Sequence, residues 1–172
     1  AEDADIDIQT SKSWINILET LGIIFLLHPY SNNVLKRTIK TPKVYFYDTG
    51  LVCYLTRWSS PEVAESGAMS GALLENFTVS EIMKSYQNAG LEPYLYFYRD
   101  RDAKEIDVIL EGDGKLCPLE IKKTATPDKR LTRVFNVIDK SPLKLGTGAV
   151  LCMADKFSAF DSSNLIVPIW MI

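Results

Sequence analysis

Asp107, Glu120 and Lys122 fall within one stretch, EIDVILEGDGKLCPLEIKKT (residues 105–124). Asp113-Gly114 divides it into two runs of alternating apolar residues, a strong signal for a hairpin with a two-residue turn. That register sets Asp107 opposite Glu120 and Glu105 opposite Lys122. Period-two alternation then puts all four side chains on one face, with facing Cβ atoms roughly 4.5–5.5 Å apart. Two carboxylates so close repel unless a proton, a lysine or a metal intervenes. The grouping suits a hard divalent cation with an ammonium beside it. Ile106, Val108 and Leu110, with Leu119 and Ile121, would form the opposite, core-facing side. The plainer reading is a solvated hairpin face with a cross-strand Glu–Lys pair.

The surrounding elements must hold this hairpin. Thr10 or Ser11 would cap a helix running to Leu21, with Trp14, Ile17, Leu18 and Leu21 at helical spacing. Gly22 stops it. IIFLLHPY and KVYFYD follow as strands, and Asp48 would cap the next helix. Helix, glycine, strand, loop and strand resemble the second half of a winged helix, so residues 1–56 are read as a partial winged-helix or connector segment. Residues 57–70, rich in Ser, Pro, Glu and Gly, read as a linker. A helix from Gly71 to about Ala89 opens the second domain, residues 71–172, with Leu73, Phe77, Val79, Ile82 and Met83 on its apolar stripe. Glu75 lies off the centre of that stripe. YLYFYRD reads as a strand, with Arg99 expected to pair with Asp100. After the hairpin, a helix from about Pro127 to Lys140 would turn Leu131, Val134, Phe135 and Ile138 inward. GAVLCMA and LIVPIWMI complete the strands.

Composition narrows the classes. With 172 residues, 47% hydrophobic and 24% charged, the chain suits an ordinary globular protein with one main domain and a smaller one. Its apolar runs are too short for a membrane span. Cys53, Cys117 and Cys152 lack metal-ligand spacing, so reduced thiols and a cytoplasmic setting are expected. The single histidine, His28, argues against a catalytic triad. The net charge of −3 argues against a strongly basic nucleic-acid-binding protein. Two local clusters remain: Lys36, Arg37, Lys40 and Lys43 in one loop, and Lys122, Lys123, Lys129, Arg130 and Arg133 near the hairpin. Either would suit phosphate contacts or mere solubility.

Asp, a hairpin turn and Glu-x-Lys together resemble the PD-(D/E)xK nuclease-like superfamily. A longer similarity runs over residues 12–125. PYSNNVLKRTIKTPKVYFYDTGLVCYL, GALLENFTVSEIMK, YFYRDRDAKEIDVIL and PLEIKKT occur in the order found in the carboxy-terminal module of bacterial and archaeal AAA-type ATP-binding proteins, a domain of unknown function. The resemblance implies an α/β, restriction-endonuclease-like core: a mixed sheet flanked by helices. It also implies a site of Glu75, Asp107, Glu120 and Lys122, with Glu75 as the helix acid. Glu81 and Lys84 are alternatives for that helix position. Asp107, Glu120 and Glu75 would be the metal ligands, for Mg²⁺ or Mn²⁺ in its place. An ATPase domain is expected upstream in a longer protein. No G-x-x-x-x-G-K-[ST] motif occurs in this chain, so no nucleotide is expected within it.

Two functions follow as expectations. In the first, the chain is a metal-dependent phosphodiesterase acting on nucleic acid. In the second, it is a catalytically inactive module that binds a partner, regulates the ATPase or binds DNA without cutting it. The oligomeric state and the strandedness of any nucleic acid are left open.

Overall fold

The computed structural model describes residues 6–31 and 39–172. Lys36 and Arg37 of the first basic cluster lie outside the described residues. Helix α1 (Ile8–Thr20) starts earlier than expected, because the Asp7 side chain accepts from the Thr10 amide and caps it. Gly22, at φ +66°, turns the chain into β1 (Ile24–Pro29), which pairs antiparallel with β2 (Lys43–Phe46). Asp48 caps α2 (Thr49–Leu55), as its position suggested. The stretch read as a linker contains a short helix, α3 (Pro61–Ser66), with Ser60 as its cap.

Next come α4 (Ser70–Asn88), β3 (Leu95–Arg99), β4 (Glu105–Gly112) and β5 (Lys115–Lys122). Asp113 and Gly114 both adopt positive φ, 51° and 69°, which is the tight hairpin turn that Asp-Gly favours. A 3-10 helix (Lys129–Lys140) leads to β6 (Lys144–Leu145), β7 (Gly148–Cys152), β8 (Ser158–Asp161) and β9 (Asn164–Pro168). The expected last strand is cut short at Pro168, and a 3-10 turn over Ile169–Met171 follows.

The fold is mixed α/β. Among the described residues nine strands form one sheet, ordered β2-β1-β3-β4-β5-β7-β9-β8, with β6 pairing on β5. β1 joins β3 in parallel, so the two early strands extend the sheet that carries the hairpin. Helix α4 covers one face, where Val79, Ile82 and Met83 pack with Phe97, Val108 and Leu119. The 3-10 helix covers the other, where Phe135 and Ile138 pack with Tyr98, Ile106, Ile109 and Leu116.

That division corrects the simple alternation expected of β4. Tyr96 pairs with Ile109, but Tyr98 pairs with Ile106, so Asp107 and Val108 together stand opposite Phe97. This is a β-bulge. It sends Ile106 to the face of the 3-10 helix while Val108 stays under α4.

The segment 129–140 also departs from expectation. As a 3-10 helix it has three residues per turn, so side chains three apart stack in rows. Thr132, Phe135 and Ile138 form the buried row, while Leu131 and Val134 are only half-buried. Gly148 makes this packing possible: a Cβ there would lie 2.7 Å from the Phe135 ring.

Candidate functional site

The hairpin pairs in the expected register from Val108↔Leu119 to Gly112↔Lys115. At the bulge the Ile121 amide donates instead to Asp107 Oδ2, at 2.8 Å. Asp107 is thereby buried, 7% exposed, with one oxygen fixed against β5. On β5, Leu119 and Ile121 join the core under α4, so Glu120 and Lys122 face the opposite side. Lys122 Nζ lies 2.9 Å from Glu120 Oε1. Glu120 is 8% exposed, and its Oε2 is buried without a hydrogen-bond partner among the described residues.

Such a pair of carboxylates is electrostatically costly. Burial, then the nearby Glu120, pushes Asp107 up to about 7, against the pull of the Ile121 amide. Burial likewise raises Glu120, although Lys122 holds it down. Burial alone would lower Lys122, but its bond to Glu120 and the charges of Asp107 and Glu75 raise it.

The helix acid is placed differently. Asn76 staples α4 to β2: it accepts from the Phe46 amide at 2.8 Å and donates to the Phe46 carbonyl at 3.1 Å and Thr49 Oγ1 at 3.0 Å. Glu75, one residue earlier, receives the Tyr45 hydroxyl at 2.6 Å and Lys43 Nζ at 3.0 Å. Lys43 also reaches Glu105, at 2.5 Å, and stands over the Phe97 ring. The expected Glu105–Lys122 pair is replaced by Glu105–Lys43 and Glu120–Lys122. Glu81 and Lys84 pair with each other. Arg99 approaches Glu105 at 3.6 Å rather than Asp100, whose carboxylate instead accepts from the amides of Asp102 and Lys104 and from the Tyr98 hydroxyl.

Lys43, expected in a basic loop suited to phosphate contacts, instead begins β2 and pairs with Glu75, and Tyr45 had no expected role in the site. The signal was present in the alternation of KVYFYD, which puts both on one face of β2. What it could not show was that this face meets Glu75, 30 residues or more further on.

The donors at the hairpin are all oxygen, which suits Mg²⁺ or Mn²⁺ rather than a soft metal. The partnerless Glu120 oxygen and the neighbouring Asp107 fit a two-carboxylate seat. Among the described residues, no three His, Cys, Asp or Glu side chains stand close enough together to hold an ion. Glu75 is thus not a third ligand in this arrangement.

A mixed sheet with helices on both faces, carrying a buried acid pair beside a lysine, defines the class of module. The chain belongs to the family described as Domain of unknown function (DUF4143), whose model matches residues 70–172. A second model, Domain of unknown function (DUF8612), matches residues 1–62. The chain is 30% identical over 128 residues to uncharacterized protein Rv2008c of Mycobacterium tuberculosis and to uncharacterized protein Mb2031c of Mycobacterium bovis. Each match covers 74% of this chain but 28% of the relative, so the chain spans little more than a quarter of their length. No solved structure matches it.

Proposed function

We propose that this chain is a PD-(D/E)xK-like module, with a restriction-endonuclease-like core and a partial winged-helix segment before it, that cleaves phosphodiester bonds in nucleic acid. In this reading it works within a longer AAA-type ATP-binding protein. One observation carries the proposal: two buried, mutually repelling carboxylates lie side by side, and one of them, Glu120, has an unpartnered oxygen and is two residues from a lysine on the same side of β5.

Asp107 and Glu120 would hold Mg²⁺ or Mn²⁺, with the Ile121 carbonyl adjacent. The bound cation would supply Lewis acidity toward the phosphate and toward a water. Asp107, whose pKa is pushed up to about 7, would bind such a cation as the carboxylate and so release its proton. The Ile121 amide fixes its carboxylate plane meanwhile. Lys122, which stands beside Glu120, would orient the nucleophile and offset the negative charge that develops on phosphate oxygens. Burial of the pair excludes water and strengthens each of these interactions.

A second reading, an inactive module that regulates or binds partners of the ATPase, is favoured by the Lys43 contacts. Lys43 already bridges Glu75 and Glu105, which ties the helix acid to β2. Calorimetric titration with Mg²⁺ and Mn²⁺ separates the two. The first reading expects binding by the chain, proton release near pH 7 seen as a buffer-dependent heat, and loss of both in Asp107→Ala. Absence of binding, even with DNA present, would leave the second.

A further inference from the structure

The 3-10 form of residues 129–140 has a consequence on its outer side. With three residues per turn and a rise near 2 Å per residue, Arg130, Arg133 and Asn136 stack in one exposed row, about 6 Å from step to step. In an α-helix the same residues would fan around the axis. Two concave grooves flank the row, of about 500 and about 510 Å³, and all three residues line both. Lys129 lies in the first groove, and Lys104 and Lys140 in the second. Neither groove is lined by an Asp or Glu, although the chain as a whole is acidic. Arg130 is bonded to Asp128 and Lys129 to Asp161, both outside the groove linings, and Asp139 ends the row.

The first groove also has an apolar floor, Pro118, Phe135 and Leu145, and Pro118 stands two residues before Glu120 on β5. Pro118 and Glu120 alternate onto the same side of β5, one step of about 6–7 Å apart. Beside them, Gly148 lines the groove while Val150 pairs with Glu120 on β7.

We propose that the row Arg130–Arg133–Asn136, with Lys104, Lys129 and Lys140 at its flanks, is a track for the sugar-phosphate backbone of nucleic acid. The evenly stepped donors suit a polymer with a regular anion repeat. Two adjoining grooves accept more than a single phosphate, and the apolar floor accepts sugar. Acidic peptides, whose carboxylates have no fixed repeat, match the row less well. Contacts of this kind position a strand without reading its sequence. The inference rests on the proposed nucleic-acid reading and extends it by naming where a strand would lie, yet it concerns binding alone.

The test is fluorescence anisotropy with a labelled mixed-sequence DNA 20-mer, single- and double-stranded, in chelator and across a salt series. Arg130→Ser/Arg133→Ser is compared with the wild type and with the exposed control Lys12→Ser. Both arginines are exposed, and circular dichroism verifies the fold of each variant. The double variant is expected to bind at least about tenfold more weakly. Its log–log salt slope should be shallower by about 1.4 on single strands or 1.8 on duplex, two phosphate contacts' worth, with Lys12→Ser unchanged. Equal binding by wild type and double variant overturns the proposal, as does absence of wild-type binding at low salt. Poly-glutamate competing as well as DNA would also overturn it, in favour of an acidic protein partner. Cation titration of the same proteins keeps the two ideas apart: DNA binding without cation binding sinks the cleavage reading and leaves the track standing.

Discussion

Asp107 answers two opposed demands. Its oxygen satisfies the Ile121 amide where the hairpin ladder gives way to the bulge, yet its charge is buried beside Glu120. The consequence appears as pH dependence. An unfolded Asp titrates near 3.8, whereas folded Asp107 titrates near 7. Between those values the native state keeps a proton that the unfolded chain releases, so stability falls as pH rises through this window and levels off above it. Asp107→Asn keeps an acceptor for Ile121 and removes the charge. Urea midpoints from pH 4 to 8 should show the wild type losing stability where the variant does not, with the variant ahead by about 1–3 kcal/mol at pH 8. Parallel profiles would mean that Asp107 is not held protonated by its surroundings. The Lys43–Glu75–Tyr45 group is a different case, since each charge there has a direct partner. Burial, then Glu75, keeps the Tyr45 hydroxyl protonated and donating.

Helix α4 depends on one polar residue for its seat. Asn76 is 7% exposed and makes hydrogen bonds to the Phe46 amide, the Phe46 carbonyl and Thr49. Asn76→Ala strands the Phe46 backbone groups and should cost about 2–4 kcal/mol in chemical denaturation. It should also loosen Glu75, the next residue on the helix. A loss below about 0.5 kcal/mol would show that apolar packing alone seats α4. At the same scale, the bulge in β4 and the 3-10 helix both replace a regular period with a local one. The bulge lets Asp107 reach across to β5. The 3-10 helix exchanges an α-type inner stripe of Leu131, Val134, Phe135 and Ile138 for the row Thr132, Phe135 and Ile138.

Across the molecule, one continuous sheet joins early and late segments, from β2 at one edge to β8 at the other. Helix α1 is its least committed part. It buries no residue, and Trp14, Ile17 and Leu21 are each more than half exposed. Trp14→Ser/Ile17→Ser should therefore leave the unfolding free energy of this chain within about 0.5 kcal/mol. A larger loss in a urea melt would reveal packing of α1 onto the sheet. Among the described residues no helix is long and apolar enough to cross a membrane. The hairpin was legible from the chain alone, because Asp-Gly and the flanking alternation are local rules that set turn and register together. So were the Asp48 cap and the α4 stripe, except for Phe77, which the structure leaves 40% exposed while Asn76 beside it turns inward. The bulge was not, since it arises from pairing with β3, ten residues upstream. Nor was the ladder of Arg130, Arg133 and Asn136, because α and 3-10 spacing compete closely and the close fit of Phe135 over Gly148 is tertiary. The sequence by itself determined which acids and lysine share a hairpin. Only the folded chain decided that Lys43 and Tyr45 claim Glu75, because residues far apart in sequence meet through packing, and no local period encodes that contact.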